Sequence, residues 1–228
     1  MAELMADAQK SMAGACPHCG AKSEGGHFCP QCRKILPVDE AGDYFSFFGL
    51  PRKLTIDEAA LEKTFYSLSR QFHPDYFMNA SGRERQASMD RASRLNDAYR
   101  TLRDRVSRGQ YLLSLQGYKE ADKKAPPELL EEVFDLNMQV EGLKAARKAG
   151  DEEEVAEARS ALEEALRGLE GKLREIDDKL YALFAEWDSA VDGGADDVEK
   201  KRTLDRMSEL HSQRSYLRNL VRDIREEI

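Results

Sequence analysis

The chain has 228 residues, of which 41% are hydrophobic and 34% charged, and its net charge is −8. That much charge suits long solvated helices better than one compact α/β domain, and the acidic balance argues against a general nucleic-acid binder. No apolar run approaches the ~18 residues needed to span a bilayer.

The opening residues, MAELMADAQKSMAGA, have no hydrophobic core for secretion, and they hold Glu3 and Asp7 with no Arg. They read as neither a secretory signal nor a mitochondrial transit peptide. A cytoplasmic, bacterial location is expected, or the mitochondrial matrix if a leader has been removed. The charge is unevenly spread: −1 over residues 1–42, +3 over 43–118 and −10 over 119–228. These ranges are also the expected domains.

Residues 1–42 hold all four cysteines, as Cys16-x-x-Cys19 and Cys29-x-x-Cys32, and show no helical periodicity. The segment is too short to build an apolar core. Two C-x-x-C turns supply a tetrahedral four-thiolate set, and Zn²⁺ in a structural role is the expected occupant. Iron in the same ligand set and two disulfides are the alternatives; a cytosolic chain disfavours the disulfides. Metal binding would supply the folding energy that apolar residues cannot. Gly20 suits the positive φ of such a turn. His18 and His27 are read as bystanders, since four thiolates already suffice.

Residues 43–118 read as helices. Thr55 with Glu58, and Ser81 with Glu84, carry the capping-box pattern. Leu61, Phe65, Leu68 and Phe72 mark one helix face, which must end at Phe72 because Pro74 disfavours α geometry at His73. A second helix presents Leu95, Tyr99 and Leu102, and a third Tyr111, Leu112 and Leu115. An antiparallel pair joined by a polar loop bearing His73-Pro74-Asp75 is expected. Lys63 and Arg70, seven apart, share a face able to meet an acidic partner. Phe45-Ser46-Phe47-Phe48 reads as packing.

Pro126-Pro127 opens the last segment. Its first helix ends at Arg147-Lys148-Ala149-Gly150, with charge and cap both suited to a C-terminus. Asp151 caps the next, whose seam runs Leu162, Leu166, Leu169, Leu173, Ile176, Leu180, Leu183, Trp187, a heptad pattern. Gly168 and Gly171 interrupt it, and Gly193-Gly194 ends it. Asp196 caps a last helix with Leu204, Met207, Leu217, Val221 and Ile224. Short connections imply an antiparallel three-helix bundle.

A His-Pro-Asp tripeptide between two such helices resembles a J domain. The chain resembles the HscB family of co-chaperones through Asp43-Tyr44-Phe45, Phe48-Gly49-Leu50, His73-Pro74-Asp75 with Phe77, Asn96-Asp97-Ala98-Tyr99 with Thr101-Leu102, and Tyr111-Leu112-Leu113 with Leu115 and Gly117. Phe28-Cys29-Pro30-Gln31-Cys32-Arg33 resembles the zinc module of mitochondrial members. The resemblance implies an all-α fold: a J domain, a C-terminal antiparallel three-helix bundle and a small N-terminal four-cysteine zinc-binding module. It implies a co-chaperone, not an enzyme, whose J domain docks on a DnaK-type chaperone through His73, Pro74, Asp75, Lys63 and Arg70 and stimulates its ATPase. The bundle would hold an iron–sulfur cluster scaffold protein, with Leu130, Phe134 and Tyr216 at the family's client-binding positions. Each of these three equally suits bundle core. Leu130 and Phe134 lie four apart with Glu131 and Asp135 beside them, whereas Leu129, Val133, Leu136 and Val140 form a separate apolar set. No membrane or nucleic-acid partner is implied, and self-association stays open. Two features depart from the family: Tyr76 stands where many members carry Lys, and the second bundle helix is extended over 151–165. The competing reading is a zinc-ribbon nucleic-acid-binding or transcription-related protein with a coiled-coil tail.

Overall fold

A computed structural model describes residues 13–24, 26–39, 41–119 and 129–228. The expectations placed on the first twelve residues and on Pro126-Pro127 lie outside them. The described residues form two compact units. One takes those up to Leu112 together with Asp188–Ala195; the other takes Leu113–Trp187 and Asp196–Ile228.

The first unit opens with an antiparallel pair, β1 (Ala13–Ala15) and β2 (Lys22–Glu24), each three residues long. A short helix α1 (Tyr44–Phe47) follows, capped by Asp43, whose carboxylate accepts from Ser46 N (2.7 Å) and from Arg52 Nε (2.6 Å). Then come α2 (Glu58–Phe72), a 3₁₀ turn (Pro74–Phe77), α3 (Gly82–Arg103) and α4 (Arg105–Leu115). Phe45, Leu61, Leu68, Phe72, Leu95, Ala98, Leu102 and Leu112 fill the core, and Phe47 and Phe48 are buried with them. Tyr111 ties α4 to α1: its hydroxyl accepts from Tyr44 N (2.9 Å) and its ring stacks on Tyr44 at 4.5 Å.

The cap at Ser81–Glu84 is reciprocal, as its spacing implies. The one expected at Thr55 is not there. Asp57 caps α2, accepting from Ala60 N (3.0 Å). Thr55 lies before the helix, and its N–H, like that of Leu54, donates to the Asp188 carboxylate at 2.7 Å.

The second unit contains α5 (Leu130–Ala149), most of α6 (Glu152–Gly193) and α7 (Asp197–Glu227). Gly150, at φ 74°, closes α5 in the left-handed cap favoured by glycine. Asp151 accepts from Glu153 N and Glu154 N to start α6. Asp196 accepts from Glu199 N to start α7. Every seam residue of α6 from Leu162 to Trp187 is buried except the half-buried Leu173. Gly168 and Gly171 do not interrupt the helix: 42 continuous residues, roughly 63 Å at 1.5 Å per residue, outweigh two local propensity losses.

Ion pairs fix the register. Arg206–Glu186 (2.8 Å), Arg214–Asp177 (2.5 Å) and Arg225–Glu170 run in opposite senses along α7 and α6. Lys172–Glu132 ties α5 to α6, and Lys144–Glu227 (3.2 Å) brings the C-terminal ends of α5 and α7 together, so α5 too runs antiparallel to α6. The bundle is antiparallel, with α5 covering one half of α6. No helix among the described residues is long and apolar enough to cross a membrane.

Candidate functional site

The four cysteines meet at one point. Their turns are near copies. Gly20 N donates to Cys16 O (2.8 Å) and Cys16 N to Ala21 O (2.8 Å); Arg33 N donates to Cys29 O (2.9 Å) and Cys29 N to Lys34 O (2.9 Å). The residue after each second cysteine takes a positive φ: Gly20 at 71° and Arg33 at 59°. Arg33 thus adopts a backbone that costs a non-glycine residue about 1 kcal/mol, a strain the second turn sustains to aim its thiols. The cysteines are free thiols in one cluster, not two linked pairs. Cys16 and Cys32 Sγ lie 3.7 Å apart, as do those of Cys19 and Cys29, and all four fall within 4.8 Å of one another. A tetrahedral ion with metal–sulfur bonds of about 2.3 Å requires sulfur–sulfur edges near 3.8 Å, so the donor set fits a tetrahedral metal ion. Backbone N–H groups of Cys32 and Gln31 aimed at Cys29 pull its thiol down, whereas burial and the neighbouring thiols hold those of Cys19 and Cys32 up, as expected of four thiols sharing one small space.

His27 is turned elsewhere. Its Nδ1 lies 2.5 Å from the Arg91 guanidinium, and its ring packs against Phe47 (4.8 Å) and Phe72 (4.9 Å).

The His-Pro-Asp loop is presented to solvent by the helices on either side. His73 closes α2 with φ −60° and ψ 125°, the extended geometry that Pro74 imposes. Its Nδ1 accepts from Asp75 N (3.3 Å) and sits 3.4 Å from the Asp75 carboxylate. His73, Pro74, Asp75 and Tyr76 are all exposed, as are Lys63 and Arg70 on the α2 face leading to them. Arg85 folds back to the carbonyls of Met78 and Ala80, closing the loop on its far side. The loop offers an imidazole, a carboxylate and a basic helix face to a partner.

The second unit carries a different surface. Leu130 is 54% exposed and Phe134 65%, while Leu136, Leu143 and Ala146 take the buried side of α5 and Val133 and Val140 its flanks. Glu131 and Asp135 are exposed beside the apolar pair. Met138, 60% exposed and one further turn along, extends the stripe. Sequence reasoning misses it, although its four-residue step from Phe134 is the signal that finds it. Tyr216 is half-buried on α7. Counting back equally along both helices from the Lys144–Glu227 pair, Phe134 falls level with Leu217, the neighbour of Tyr216.

Comparison with known proteins agrees with this arrangement. The DnaJ domain family matches residues 43–111. The iron–sulfur cluster co-chaperone protein HscB of Mus musculus is 33% identical over 192 residues, covering 80% of this chain and 76% of the relative. The co-chaperone protein HscB homolog of Azoarcus sp. (strain BH72) is 36% identical over 147 residues, covering 63% and 81%. The crystal structure of human co-chaperone protein HscB superposes with a TM-score of 0.62 at 25% identity, over 94% of this chain and 98% of that one. With a DnaJ-type helix pair, a four-cysteine cluster and relatives matched over most of their length, the chain belongs to the HscB family of J-domain co-chaperones.

Proposed function

We propose that this co-chaperone of iron–sulfur cluster assembly binds a cluster scaffold protein on its C-terminal bundle, brings it to a DnaK-type chaperone, and stimulates that chaperone's ATPase to promote cluster transfer. The observation that carries the reading is the exposed His73-Pro74-Asp75 loop, with Lys63 and Arg70 on the helix face leading to it, in a chain of HscB-type relatives. The chemistry of hydrolysis belongs to the chaperone. This chain supplies a docking shape and charge: the basic face of α2 steers an acidic partner surface, and the loop engages it. Neither role needs a catalytic group here. Leu130 and Phe134, with Tyr216, supply apolar anchors for the scaffold, and Glu131 and Asp135 give orientation. Zn²⁺ at Cys16, Cys19, Cys29 and Cys32 is structural. The reading places the protein in the bacterial cytoplasm or the mitochondrial matrix.

The test is capture from native lysate on the immobilised full chain. A DnaK-type chaperone should be retained in the presence of ATP and a cluster scaffold without it. Capture of neither would overturn the proposal.

A further inference from the structure

We infer that the four-cysteine module is the positioning element of the His-Pro-Asp loop, acting through Arg91, so that stimulation of the chaperone depends on metal held at a site that does not itself touch the chaperone. The inference rests on the co-chaperone reading above, and all the residues concerned lie in the first unit.

Phe72 directly precedes His73. Its ring is fully buried: from the module, His27 lies 4.9 Å away and Phe28 6.0 Å, and from α3 the Arg91 guanidinium lies 5.8 Å away. Its carbonyl accepts from the buried Ser88 hydroxyl (2.7 Å). One turn further along α3, Arg91 is fully buried, and its partners are carbonyls and an imidazole in place of a carboxylate. It donates to Leu36 O (2.6 Å), Pro37 O (2.8 Å) and Gly26 O (3.3 Å), and meets His27 Nδ1 at 2.5 Å. Every one of those acceptors belongs to the segment around the cysteines. The other end of the loop is tied to the module as well. Lys34 bonds Glu84 (3.4 Å), the carboxylate that completes the Ser81 cap where α3 begins.

Residues 73–81 are therefore held at both ends by side chains that rest on the module. The module's own buried cluster is small, Cys16, Cys29 and Leu36 with Ala21 and Cys32 packed against it, and besides these its large buried aliphatic side chain is Ile35. Its fold depends on the metal. When the metal leaves, a buried guanidinium loses its acceptors, which a low-dielectric site does not tolerate, and Phe72 loses its cover. The ends of the loop then move apart. The bundle surface around Leu130 and Phe134, in the other unit, draws nothing from these contacts.

The experiment uses the full chain with Zn²⁺ bound and after treatment with a strong chelator. It reads three quantities: stimulation of a DnaK-type ATPase, amide hydrogen exchange, and calorimetric affinity for a cluster scaffold. Chelation should cut stimulation at least tenfold and speed exchange across residues 72–81 at least tenfold, with scaffold affinity changed by less than twofold. Unchanged stimulation once the cysteine-segment amides have lost protection overturns the inference. Lost stimulation without faster exchange at 72–81 also overturns it, because the module would then be touching the chaperone itself. Should chelation disturb scaffold binding too, Arg91→Lys decides by the same readouts, since it keeps all four thiols: it should bind metal, lose stimulation and expose the loop amides. If the metal-loaded chain never stimulates, the co-chaperone reading is what fails, and the exchange data alone judge the positioning role.

Discussion

Replacing Leu130 and Phe134 by Ala separates a docking surface from a bundle core. Fully burying a Leu or Phe side chain stabilises by about 1.5–3 kcal/mol. These two residues are 54% and 65% exposed, so only a third to a half of that is at stake in the free protein, roughly 1 kcal/mol each. Leu143, fully buried on the same helix, is the control. Its truncation to Ala should cost about 2–5 kcal/mol and lower the bundle's melting temperature by on the order of 10 °C. Each single mutant should melt a few degrees below the wild type, and the double mutant, about 2 kcal/mol less stable in all, no lower than Leu143→Ala. Yet the double mutant should bind a cluster scaffold at least tenfold more weakly, a loss of about 1.4 kcal/mol in binding. Calorimetric titration and thermal melts on the same preparations read both quantities. A large loss of stability with intact binding would refute the assignment and make these residues bundle core.

Metal analysis of protein purified under reducing conditions should find about one zinc per chain, and Cys29→Ser with Cys32→Ser should abolish it; full retention in that mutant would count against the site. His211 is buried, stacked on Phe184 at 6.3 Å, with Arg214 and Asp177 beside it; burial first and the Arg214 charge second hold its imidazole down to about 4. It is neutral in the folded state, so its contribution is complete above about pH 6.5 and is lost as pH falls towards 4. Urea titrations should show the bundle about 1.5 kcal/mol less stable at pH 5 than at pH 6.5, and His211→Leu should flatten that slope; an equal loss in the mutant would remove His211 as its source. Gly168 is exposed within α6, and a Cβ there meets nothing within 4 Å. Gly168→Ala should therefore stabilise the bundle by about 0.5–1 kcal/mol in the same titrations, whereas destabilisation would mean that the glycine relieves a contact in the assembled protein.

Features with local causes are legible in the amino-acid sequence. The α6 seam follows from a four-three repeat, and the caps at Ser81, Asp151 and Asp196 follow from side chains that reach their own helix. The end of α2 follows from Pro74. The paired cysteine turns point to a four-thiol cluster because both halves of each turn are adjacent in the chain. What stays hidden is set by distant partners. Thr55 has the spacing of a cap, but its N–H is engaged by Asp188, more than a hundred residues away, and the helix starts beyond Asp57. Arg91 stands in α3 among Arg83, Arg85, Arg94 and Arg100, and nothing local marks it as the buried one. That His27 is no ligand follows from the four thiols, yet its contact with Arg91 and its packing on Phe72 depend on the module folding back on α3. Leu130 and Phe134 suit core and surface equally in the sequence, because periodicity alone does not say which stripe of a doubly apolar helix faces its neighbours.

The central claim is that this chain acts on a chaperone through the His-Pro-Asp loop, and single-turnover ATP hydrolysis by a DnaK-type chaperone tests it most directly. His73 is exposed and contributes little to the core, so His73→Gln should keep the wild-type circular dichroism, zinc content and scaffold affinity. The wild-type chain should accelerate hydrolysis, more so with scaffold present, and His73→Gln should abolish that acceleration. Equal stimulation by a well-folded His73→Gln chain would contradict the account.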